Sequence, residues 1–124
     1  QEDVIVADAQ ERDYLLQLAL HTTQQSTLHF IPSGQTTKNS IQLLESPIMV
    51  TWLDYFAQSY DFVLINTPPA LNYSDVSALA ALTKLPVLLV VQYARTRAEV
   101  AYEARDQIAQ VGGDIAGVIF IETR

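Results

Sequence analysis

A chain of 124 residues has room for one compact core. Hydrophobic residues make up 49% of it and charged residues 17%, a globular balance rather than a disordered one, and no apolar run approaches the roughly 20 residues that span a bilayer. Seven Lys and Arg against fourteen acids leave a formal charge of −7, which sets the surface against nucleic-acid phosphates and against insertion into an anionic leaflet.

The hydrophobic pattern alternates between short β-rich runs and helical segments. Val4 to Ala7 reads as a buried strand, and the acidic Gln1-Glu2-Asp3 before it is unlike a secretory leader. A helix follows over Arg12 to His21, with apolar spacing at Tyr14, Leu15, Leu18 and Ala19. Thr27 to Ile31 is a second strand, closed by Pro32-Ser33-Gly34. Asn39 or Ser40 caps a helix that begins at Ile41, and Ser46-Pro47 opens another over Ile48 to Gln58. Asp61 to Ile65 forms a third strand that ends on Thr67-Pro68-Pro69. A short helix over Asp75 to Thr83 and a fourth strand over Pro86 to Val91 come next. The helix Arg97 to Val111 stops at Gly112-Gly113, and Ile115 to Ile121 is the last strand. Apolar strands alternating with helices predict a three-layer α/β domain over residues 1–124, a five-stranded parallel sheet with helices on both faces. Ile5, Val63, Ile65, Leu89, Val91, Val118 and Phe120 are its expected core.

In such a sheet, ligands bind beyond the carboxyl ends of the strands. That edge holds Asp8 to Gln10, Ser33-Gly34, Asn66-Thr67, Gln92-Tyr93 and Glu122-Thr123. Its acids are few, and His21 and His29 lie elsewhere as ordinary packed or surface histidines, so no metal cluster is expected. No cysteine is available for disulfides or thiolate ligands. No Gly-x-Ser-x-Gly elbow supports hydrolase chemistry. Phosphate binding takes a glycine-rich loop with a lysine, and neither Lys38 nor Lys84 follows one.

Three stretches are distinctive: Ile31-Pro32-Ser33-Gly34, Asn39 to Ser46, and Tyr60-Asp61-Phe62-Val63-Leu64-Ile65-Asn66-Thr67-Pro68-Pro69. With Leu88 to Val91, Thr96, Val100, Gly112 and Gly117-Val118 they resemble, in order, the bacterial tyrosine kinases (BY-kinases) of capsule and exopolysaccharide synthesis. These are P-loop relatives of the septum-site and partition ATPases. The resemblance implies ATP and magnesium as cofactors in intact relatives, and a P-loop strand and helix that would precede Val4. It also implies a tyrosine-rich tail, and neither that tail nor the P-loop falls within these residues. Val4 to Arg12 is similar to the second Walker segment, with Asp8 kept and Gln10 where the catalytic aspartate stands. Asn66 stands where the family has its magnesium-side aspartate.

A neutral amide is a poor substitute for a metal-binding carboxylate. The expectation from the sequence is therefore a catalytically inactive scaffold without cofactor, with Asp8, Gln10, Arg12, Asn66, Thr67 and Pro68 as a vestigial nucleotide face. Two other readings stay open: a fragment of an active kinase, and a pseudo-receiver signalling module. With the P-loop strand absent, the third and fourth strands would close up to give the order 2-1-3-4-5. The implied partner is a membrane chain-length determinant or an ATPase paralogue, or a second copy. Trp52 and Tyr55 are its candidate surface, since such residues are enriched in interfaces. The implied location is the cytoplasm, or the inner face of the bacterial inner membrane through that partner.

Overall fold

The computed structural model describes residues 9–35 and 38–122. The first expected strand, Val4 to Ala7, and the candidate Asp8 lie outside the described residues, as does the core candidate Ile5. The chain divides into two compact units, Gln1–Lys38 and Asn39–Arg124.

In the first unit, α1 runs over Ala9–Ala19. It starts earlier than expected, with Glu11 in its first turn, where a carboxylate suits the positive end of the helix. It also ends before His21, because that residue belongs to β1 (His21–Thr22), which pairs with β2 (His29–Phe30). The expected strand Thr27 to Ile31 shrinks to two residues; its expected parallel neighbour, Val4 to Ala7, lies outside the described residues, and the pairing observed, with β1, is antiparallel. The reason is the connection, since a parallel return needs a crossover of about a dozen residues and the segment between β1 and β2 is far shorter. The Thr23 hydroxyl shapes this return, donating towards the Gln25 and Leu28 carbonyls (3.0 Å each) and accepting from the Gln25 N–H (3.1 Å). The His21 ring stacks on Phe30 across the pair, centroids 5.1 Å apart.

In the second unit, α2 covers Ser40–Leu44 after Asn39, and α3 covers Pro47–Ser59. Pro47 suits the first turn of α3, where its missing N–H costs nothing. Ser46 precedes α3 without capping it, and its hydroxyl donates back to the Leu43 carbonyl at 2.8 Å. Helix α4 (Asp75–Thr83) leads through Lys84, in a left-handed conformation, to β3 (Pro86–Gln92). Helix α5 (Ala98–Gln110) then leads to β4 (Asp114–Ile121), parallel to β3.

The two glycines between α5 and β4 do different work. Gly112 takes φ +77°, a backbone setting that favours glycine. At Gly113 a Cβ would fall 2.6 Å from Ile108 Cγ2 and 3.1 Å from Ala80 Cβ, so only a hydrogen fits. That close approach lets the end of α5 pack on α4. The core of this unit is Val76, Ala80 and Ile108, with Ala70, Val87, Val111 and Ile115 packed around them. Leu79, Val91 and Ala104 are also buried.

The five-stranded parallel sheet is not observed. The described residues form two separate two-stranded sheets, one antiparallel and one parallel. Among the described residues Asp61 to Ile65 joins no ladder, and the expected closure of the third strand onto the fourth is not seen. Phe62 is 88% and Leu64 85% exposed, so the side these alternate residues share is open, while Val63 and Ile65 on the other are partly covered. Of the expected core, Val91 is buried and Leu89 half-buried, whereas Val63, Ile65, Val118 and Phe120 are each more than a third exposed. Apolar sequence marks them as strand residues, but burial needs a covering layer as well as a ladder partner, and among the described residues these positions are only partly covered.

Cross-strand partners share a face of a sheet. Val87 and its partner Ile115 face the helices; Ala116 is the extra residue of a bulge, after which Leu88 pairs with Gly117 and Val90 with Ile119. That second face, Leu88, Val90 and Ile119, is open, and Val90 alone is 54% exposed. Among the described residues no helix is long and apolar enough to cross a membrane.

Candidate functional site

The carboxyl ends of β3 and β4 form the ligand edge that a parallel sheet offers. Tyr93 continues the ladder, its N–H donating to the Ile121 carbonyl at 2.7 Å. The chain then folds sharply. The Gln92 carbonyl accepts from the Thr96 N–H (2.9 Å) and the Arg95 N–H (3.2 Å), while the Gln92 N–H donates to the Thr96 hydroxyl at 3.0 Å. Ala94 adopts φ +58° inside this turn, a cost of about 1–2 kcal/mol for a residue with a Cβ. The turn fixes Arg95 and Arg97 beside the first turn of α5, at the same edge as exposed Glu122. Sequence reasoning named Gln92 and Tyr93 here and missed the two arginines. The signal was an Arg-x-Arg spacing directly between a buried strand and a helix.

The other candidates fall in both units. Gln10 is exposed and Arg12 half-buried, both on α1 in the first unit. Asn66 and Pro68 are exposed and Thr67 half-buried at the end of the unpaired segment in the second unit. That segment is tied down at its far end, where Ala70 packs on the core and the Asn72 N–H donates to the Pro69 carbonyl at 3.2 Å. Among the described residues no group of three His, Asp or Glu gathers as metal ligands. Gly34, with φ +70° in a loop, has nothing near the position of its missing Cβ.

The aromatic side chains of α3 cover one another. Trp52 stacks on Phe56 at 5.8 Å and meets Tyr55 edge-on at 6.1 Å, and Phe56 lies 6.5 Å from Tyr60. All four are half-buried, and α3 has no fully buried residue. The spacing of three and four residues predicted such a face, and the structure leaves it partly open.

No protein-family model matches the chain. Over 93 residues, 75% of its length, the chain is 39% identical to EpsB of Ralstonia solanacearum, which is named as a tyrosine-protein kinase, and it spans 12% of that protein. It is 26% identical over 101 residues to the Staphylococcus aureus protein CapB, named in the same way, and spans 44% of it. Among solved structures, the kinase domain of VpsO superposes with a TM-score of 0.78 at 30% identity, covering 88% of this chain and 53% of that one. The BceF tyrosine kinase domain superposes with a TM-score of 0.75 at 28% identity, covering 85% and 43%.

These relatives overturn the expectation of a non-enzyme, which rested on the missing P-loop together with Gln10 and Asn66. The chain spans about half of a kinase domain, so an inventory of motifs within it does not measure the catalytic apparatus. With mixed α/β architecture, a parallel β3–α5–β4 unit and these likenesses in sequence and structure, the chain belongs to the bacterial tyrosine-kinase family.

Proposed function

We propose that residues 1–124 are one part of a single ATP-dependent tyrosine kinase domain serving capsule or exopolysaccharide production. The observation that carries this reading is the incomplete sheet. A parallel sheet is stable when both faces are covered, yet among the described residues β3 and β4 pair only with each other, Leu88, Val90 and Ile119 face solvent, and Phe62 to Ile65 joins no ladder. A kinase domain of which this chain spans about half has the further chain needed to fill that gap. In this reading Asp8, Gln10, Arg12, Asn66, Thr67 and Pro68 line the nucleotide together with residues of the other half.

The test uses the longer natural protein that contains these residues, incubated with ATP and magnesium. Phosphotyrosine is the expected product, and its complete absence overturns the kinase reading. Within the same assay Asn66→Asp, which supplies a carboxylate suited to a hard cation, is expected to raise the rate severalfold. An unchanged rate removes Asn66 from the site.

The partner in this reading is a membrane chain-length determinant, which would hold the domain at the inner face of the membrane. The likeness to the chimerical protein CapA2B2, with a TM-score of 0.76 at 24% identity, supports the fold alone. Trp52 and Tyr55 are the surface we assign to that partner, being half-buried aromatic residues on a helix without a buried position. Trp52 emission is expected to shift when the partner's cytoplasmic segment is added. Saturating binding without any shift reduces the ladder to a packing role.

A further inference from the structure

We propose that Tyr102 is a phosphoacceptor of this protein and that Arg105 holds the phosphate once it is attached. The inference rests on the kinase reading above and adds a modification site to it. Tyr102 lies on α5 and is 59% exposed. The buried residues of that helix, Ala104 and Ile108, are two and six positions further on, which places them on the opposite side at 3.6 residues per turn. The tyrosine ring therefore projects away from the sheet and into solvent.

Exposure alone does not single it out, because Tyr14, Tyr73 and Tyr93 are comparably exposed. Arg105 does. It stands three residues later on the same face, with its Cζ 5.0 Å from the Tyr102 ring centroid. Its guanidinium is otherwise engaged with Asp106, at 2.8 Å from Nη2 and 2.9 Å from Nε. That pair is more than half exposed on both sides, and exposed pairs hold weakly. A phosphate on Tyr102 is a stronger competitor, carrying about −1.5 to −2 charges and three acceptor oxygens that match the planar guanidinium fork. Arg105 also offsets the repulsion that Glu99 and Glu103 on this face would exert on the new charge.

The chemistry is a phosphoryl transfer. Tyr102 Oη bonds to the γ-phosphorus of ATP as the bond from that phosphorus to the β–γ bridging oxygen breaks. The phenolic proton passes to a base or to water, and ADP leaves. Phosphorylation then turns the outer face of α5 strongly anionic around a single phosphotyrosine.

The sequence makes the experiment unambiguous. Trypsin cuts after Arg97 and Arg105 and releases Ala98 to Arg105, a peptide with no Ser or Thr, so any phosphoryl group on it is on Tyr102. The full kinase containing these residues is incubated with ATP and magnesium, digested, and read by mass spectrometry. The expected result is a phosphorylated form of this peptide that disappears in Tyr102→Phe while phosphotyrosine persists elsewhere. Arg105→Ala, whose longer peptide is read by fragmentation, is expected to lose the Tyr102 phosphate to a tyrosine phosphatase roughly twofold to fivefold faster. An unmodified peptide from protein phosphorylated on other tyrosines overturns the proposal and leaves the kinase reading intact. No phosphotyrosine anywhere removes both. Phosphate on Tyr102 with an unchanged rate in Arg105→Ala keeps the acceptor and overturns the role of Arg105.

Discussion

Ile108→Ala is expected to lower the stability of the second unit by about 3–4 kcal/mol, against about 1 kcal/mol for Ile108→Val. Ile108 is 1% exposed and joins α4 to the sheet through Val76 and Ala80, with Val87 and Ile115 of β3 and β4 beyond. Truncation removes three carbons from a closely packed place, where even a Cβ added at Gly113 would fall 2.6 Å from Ile108 Cγ2. The loss is a large share of the roughly 5–15 kcal/mol that stabilises an ordinary domain. Urea unfolding measures it, provided the slope with denaturant stays constant. The comparison is Val100→Ala on the same helix, an exposed position where a change within about 0.5 kcal/mol is expected. Equal costs at the two positions would mean that α5 does not pack through Ile108.

How much of this was legible in the sequence depends on what fixes each element. The helices α3, α4 and α5 were read to within one or two residues because their ends carry local signals, Pro47 at the start of α3 and Gly112-Gly113 after α5. The strands β3 and β4 were legible as unbroken apolar runs flanked by Pro86 and Asp114. Pairing was not legible, because a ladder depends on its neighbour. Asp61 to Ile65 has the composition of a strand, but a hydrogen-bonded partner for it is not among the described residues. At β1 the error was local, since His21 continued the helical spacing while the Thr23 hydroxyl turned the chain back.

The candidate site was legible only in pieces. Residues Gln10 and Arg12 fall in one compact unit, and Asn66 to Pro68 in the other. A motif assigned by resemblance gives residue identity, and assembly of the site needs the sheet that would bring the strand ends together. The reading of Gln10 and Asn66 as loss of function assumed that the chain held the whole catalytic apparatus. The comparison with kinase domains about twice as long removes that assumption. By contrast, the Gln92–Arg97 turn is built from contacts within six residues and could have been anticipated from Thr96 and the flanking arginines.

The incomplete sheet leads to the second large effect, a substitution whose cost depends on how much chain surrounds it. Val90→Glu is expected to change the stability of these 124 residues alone by no more than about 1 kcal/mol, because the side chain already faces water. In the complete kinase domain the same change is expected to cost about 3–5 kcal/mol, as a carboxylate is forced beneath the chain that covers this face. Val90 pairs with Ile119 in the middle of the parallel ladder, beside Leu88, so a covering helix or loop must rest on all three. Covering them contributes roughly 1–2 kcal/mol for each side chain taken out of water. The measurement is a pair of urea titrations, wild type and Val90→Glu, in each of the two lengths of chain. A gap between lengths that appears at Val90 and is absent at exposed Tyr102→Phe identifies burial as the cause. Equal costs in both lengths would show that this face stays open in the whole domain, and the account of the sheet as half of a larger one would then fail.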